Sequence, residues 1–106
     1  MRTYVMIKNV PNTYTQEKFD EEFKDTHEGY YDNLLLICDK KHGKCKGYGF
    51  INFLHPLYLV DFLAHYNGKT WKQDLKRERV IELCYATKET WNSNFTWCYS
   101  QKLLNT

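Results

Sequence analysis

No run in this chain approaches the about 20 consecutive apolar residues of a membrane-spanning helix, so no transmembrane segment is expected. Nor does the start read as a secretory leader, because Met1 leads directly into a β-rich run. An intracellular setting, nuclear or cytoplasmic, is the expectation. The four cysteines (Cys38, Cys45, Cys84 and Cys98) are accordingly read as free thiols in a reducing compartment, not as a disulfide framework. Charge of one sign is also scarce. Fifteen Lys and Arg against 13 Asp and Glu leave a net charge of +2, well short of a histone-like binder, so an anionic partner would have to be held by local placement of cations. Internal repeats, linkers and low-complexity tracts are missing too, which argues for one domain in 106 residues.

The patterns that carry catalysis or metal binding are incomplete. Cys38, His42 and Cys45 lie close in sequence, but a structural zinc site wants a fourth ligand in a paired spacing. Gly68-Lys69-Thr70 resembles the end of a phosphate loop, yet Leu63 stands where the first glycine is required. The acids and the four histidines show no pairing with a nucleophile. Neither an enzyme nor a cofactor is expected. What the chain does have is apolar mass: 42% hydrophobic residues, 17% of all residues aromatic, a composition that disordered chains do not show.

The most informative stretch is Lys46-Gly47-Tyr48-Gly49-Phe50-Ile51-Asn52-Phe53. It alternates as a half-buried strand does, since successive side chains point to opposite faces. With Gly49, Ile51 and Phe53 turned to the core, Lys46, Tyr48, Phe50 and Asn52 share the other side. Two aromatics and a cation on an open face call for a ligand. The segment also fits the RNA-recognition octamer K/R-G-F/Y-G/A-F-V-x-F/Y, with Ile51 in place of Val.

The remaining chain can be placed around it. Tyr4 to Val10 reads as a first strand with Val5 and Ile7 inward, ended by Pro11-Asn12. Thr13 or Thr15 caps a helix running to roughly Lys24, with Phe19 and Phe23 on one face. Tyr31 to Cys38 is a second strand, joined to the octamer by a lysine-rich turn. His55-Pro56 opens a second helix with Leu59, Phe62, Leu63 and Tyr66 as its stripe, closed by Asn67-Gly68. Trp71 to Arg79 is a polar connection. Val80 to Ala86 is a fourth strand, with Ile81, Leu83 and Tyr85 on one face and Glu82, Cys84 and Ala86 on the other. The order is β-α-β-β-α-β: an α+β, ferredoxin-like sandwich of a four-stranded antiparallel sheet with two helices on one face. The domain is expected over 1–88. An aromatic extension over 89–106, with Trp91, Phe95 and Cys98 at helical spacing, is expected to form a helix on it.

The chain resembles the RNA recognition motif (RRM) family on both signature segments, the octamer and the hexamer Val5-Met6-Ile7-Lys8-Asn9-Val10. Met6 stands where that family usually has a stacking aromatic. Val5 to Thr15, Tyr31-Asp32, Lys44 to Phe53, Tyr66 to Trp71 and Cys84-Tyr85-Ala86 look like the C-terminal recognition motif of the Mei-two-like proteins. The resemblance implies an RNA-binding domain related to meiotic and post-transcriptional regulators. It places the single-stranded RNA contacts at Met6, Lys8, Lys44, Lys46, Tyr48, Phe50, Asn52, Cys84 and Lys88, with Trp91 and Phe95 either extending or covering the surface. A monomer is expected. The alternative is a protein-interaction RRM that binds a partner peptide through the same face.

Overall fold

The structure, a computed structural model, describes residues 3–87 and Glu89. The order of elements is β1 (Tyr4–Lys8), α1 (Gln16–His27), β2 (Tyr31–Cys38), β3 (Cys45–Phe53), α2 (Pro56–Tyr66) and β4 (Glu82–Tyr85). The sheet runs β2-β3-β1-β4, with each neighbouring pair antiparallel. This is the ferredoxin-like arrangement expected, with β1 and β3 at the centre. The expected helix over 89–106, with Lys88, Trp91, Phe95 and Cys98, lies outside the described residues.

Local chemistry sets most boundaries. Thr15 caps α1, its Oγ1 accepting from Lys18 N at 3.2 Å. The helix runs three residues beyond the expected Lys24, because His27 is buried and belongs to the packed face. His55 caps α2 through Nδ1, which accepts from Leu57 N at 3.0 Å, and Pro56 occupies the first helical turn. β1 ends at Lys8, not Val10, because Asn9 turns into the left-handed region at φ 63°. β4 is shorter than the expected Val80 to Ala86. Val80 is instead bridged to Thr70, and Ile81 N donates to Lys69 O at 2.7 Å, so the start of that segment pairs with the end of α2's loop.

Val5, Ile7, Ile51 and Phe53 from the central strands meet Phe19 and Phe23 of α1 and Leu59, Phe62 and Tyr66 of α2. Phe23 is the hub: its ring makes edge contacts with Phe19 at 5.6 Å, Phe62 at 5.1 Å and Tyr66 at 5.0 Å. One assignment from the sequence changes. Trp71, placed in a polar connection, is 1% exposed and packs edge-on to Tyr14 at 5.2 Å, so the loop after α2 is anchored in the core. Tyr85 keeps the face expected of it, opposite Val5 in register, and is 49% exposed because it ends an edge strand.

Candidate nucleic-acid interface

The face of the sheet away from the helices is ordered by strand register. Leu35, Phe50, Met6 and Cys84 form one row across all four strands. Tyr48, Lys8 and Glu82 form the next, and Asn33, Asn52 and Tyr4 the one on the other side. The sequence-derived candidates Met6, Lys8, Tyr48, Phe50, Asn52 and Cys84 are therefore brought together on one surface. The period-2 pattern of β1, β3 and β4 leaves them no other side. Lys46 continues the same parity at the start of β3 and is exposed. Lys44 is exposed in the turn before it, where Asp39 closes the hairpin by accepting from Gly43 N at 2.8 Å while its own N donates to Lys44 O. Lys88, Trp91 and Phe95 lie outside the described residues.

Depth on this face differs from the expectation. Phe50 was read as an open stacking platform but is 1% exposed. With Ile37 it forms a small second core, separate from the helix-backed one, flanked by Tyr4, Met6, Leu35, Tyr48 and Ala86. Tyr48 is half-buried and meets Phe50 edge-on at 6.0 Å. Tyr48 is thus the accessible ring of the pair, and Phe50 the ring it leans against. Tyr4, on the same parity as Met6 and Lys8, was not singled out from the sequence, although the alternation Tyr4-Met6-Lys8 carries the signal.

The polar groups are partly committed. Asn52 Nδ2 donates to Asp32 Oδ1 at 2.9 Å, while its Oδ1 is buried with no partner among the described residues. Lys8 lies between Tyr48 and Glu82, so one cation of the face has an acid beside it. At the β2–β3 end, burial pushes the Cys45 thiol up, and its Sγ accepts from Gly47 N at 3.2 Å. That makes it a packed thiol rather than a reactive thiolate. Cys45 and Cys84 are free thiols.

Residues 2–95 match the profile of the RNA recognition motif 2 family. The chain belongs to that family. Its relatives agree: the rice (Oryza sativa subsp. japonica) Protein MEI2-like 5 is 44% identical over 86 residues, which is 80% of this chain and 10% of that protein. The RRM described here is thus of the Mei-two-like type, and it spans about a tenth of the length of such relatives. Among solved structures, the RNA15 RRM superposes with a TM-score of 0.67 at 20% identity, covering 86% of this chain and 97% of its own. A Sxl-lethal protein/RNA complex gives 0.67 at 18% identity, covering 79% and 47%. At those identities the likeness shows the RRM fold.

Proposed function

We propose that this RRM binds single-stranded RNA across the outer face of its sheet, with Tyr48 as the principal stacking ring. The observation that carries the reading is the row Tyr48, Lys8 and Glu82 beside the row Phe50, Met6 and Cys84. It sets an accessible aromatic, a cation and a hydrogen-bond acceptor next to one another on an otherwise apolar floor. A base stacks on Tyr48, Met6 gives a soft, adaptable contact beside it, and Lys8, Lys44 and Lys46 meet phosphates. Base-edge hydrogen bonds and contacts to the 2′-hydroxyl would select RNA over DNA. One structural neighbour being a protein/RNA complex supports the reading, as does membership of the family. A role in meiotic or post-transcriptional regulation is the corresponding proposal for the longer protein in which such a domain works.

Separate substitutions test it. Tyr48→Ala is expected to weaken binding of a mixed-sequence RNA by about 1–3 kcal/mol, or about 5- to 150-fold, with the thermal transition little changed. Phe50→Ala is expected to act chiefly on stability, by about 3–5 kcal/mol, since it empties a packed site. Fluorescence anisotropy and thermal melts on the two variants separate these effects. Unchanged affinity in Tyr48→Ala sinks the sheet-face reading. No binding by the parent chain at low salt leaves the partner-peptide alternative in its place.

A further inference from the structure

A cavity of about 500 Å³ opens between the turn that follows β1 and the loop that joins α2 to β4. None of its lining residues belongs to the sheet-face rows described above. Its walls are tied together over long sequence separations. Asn9, in its left-handed turn, donates from Nδ2 to Val80 O at 2.8 Å and accepts at Oδ1 from Arg79 Nη1 at 3.3 Å. Arg79 N donates to Asp74 Oδ2 at 3.2 Å, and Arg77 between them also takes a left-handed φ of 51°. At the base of the loop, Glu22 of α1 is 1% exposed and accepts from Lys72 N at 3.1 Å and from the Tyr14 hydroxyl. Tyr14 in turn accepts from Gln73 N at 3.0 Å. A surface loop held by a buried carboxylate network is preorganised.

The lining has the chemistry of a nucleotide rather than of a simple anion. Lys18, Lys76 and Arg79 supply cations, while Asn12, Thr13 and Gln73 supply donors and acceptors. Two carboxylates also line it: Asp74, occupied by Arg79 N, and Glu78. A uniformly anionic ligand would favour cations alone. A nucleotide brings a phosphate for the cations and base amino groups that donate to carboxylate and amide oxygens. The volume lies within the range of about 300–1,000 Å³ usual for small organic ligands.

We propose that this cavity is a second binding site, taking a nucleotide of the same RNA strand beyond those held on the sheet. The proposal rests on the RNA-binding reading above. Continuity supports it: Asn9 directly follows Lys8, the neighbour of Tyr48, and Asn9 holds Arg79 at the cavity wall. The end of β1 thus leads from the row of Tyr48 and Lys8, through Asn9, to the Arg79 side of the cavity.

The test uses the whole chain and its Lys18→Ala/Lys76→Ala variant, with circular dichroism to confirm the fold. Anisotropy is read across a salt series with a labelled mixed-sequence tetranucleotide and a decanucleotide. The parent chain is expected to bind the longer RNA more tightly. The variant is expected to lose that gain, with a salt slope on the longer RNA smaller by about 0.7, for the one phosphate held in the cavity. Its affinity for the tetranucleotide should be unchanged. Equal binding of the decanucleotide by both proteins overturns the cavity site alone. An equal loss on both RNAs also overturns it, by assigning the two lysines to the sheet. If the parent chain binds neither RNA, the sheet reading fails and the cavity reading fails with it.

Discussion

Gly49 marks how closely α1 sits on the sheet. A Cβ at that position would lie 2.5 Å from the Leu35 carbonyl oxygen and 2.7 Å from the Phe19 ring. Phe19 is fully buried against Phe23 and Trp71 and has no room to withdraw. Gly49→Ala is therefore expected to cost about 1–3 kcal/mol by overpacking, read as a lower urea midpoint. A variant as stable as the parent would show that β3 can shift away from the helix. Two residues earlier, Gly47 is needed for a different reason: its φ of +92° lets its carbonyl accept from Val10 N at 3.0 Å just past the end of β1. The glycines of the octamer thus shape the platform on which Tyr48 stands. Which side Tyr48 and Phe50 occupy was legible from alternation. How deep each sits was not, because alternation assigns a face and says nothing of what packs on it.

The two helices are joined through a buried histidine. His27, the last residue of α1, is 1% exposed, and its Nε2 lies 2.9 Å from Asp61 Oδ2 on α2, with Nδ1 2.8 Å from Thr26 Oγ1. Burial holds its pKa below the ordinary 6.5, against the opposing pull of Asp61 and with a small further push from His65. The folded protein therefore takes up this proton later than the unfolded chain does as pH falls. Above about pH 6.5 the group carries no penalty; below it the unfolded state gains the proton first and stability drops until the folded pKa is passed. The melting temperature should fall between about pH 7 and about pH 5, and His27→Gln should flatten that part of the profile while lowering stability at neutral pH. A parent melting temperature that is constant or rises over this window contradicts the assignment. The Phe19 and Phe23 stripe announced α1 in the sequence; its last turn, His27 included, did not show because its reason for being helical lies in α2.

For the molecule as a whole, a net charge of +2 leaves little general attraction for a polyanion, so affinity must come from stacking and a few placed cations. If an RNA confined to the sheet meets Lys8, Lys44 and Lys46, its log K against log salt should have a slope of about −2, from about −0.7 per contact. Titration of a tetranucleotide over a salt series measures it. A slope near zero would remove the lysines from the contact set, and a much steeper one would require cations beyond the face.

The order of elements and the side of the sheet on which Met6, Lys8, Tyr48, Phe50, Asn52 and Cys84 stand were determined by the sequence. Each follows from local periodicity, capping and turn chemistry, which act over a few residues. The tertiary structure decided that Phe50 is a packed ring and Tyr48 the accessible one, that Trp71 belongs to the core, and that Asn9 and Glu22 tie down the loop whose Arg79 lines the cavity. Those outcomes depend on groups up to 71 positions apart in the chain, and no local pattern records which distant partner a side chain will meet.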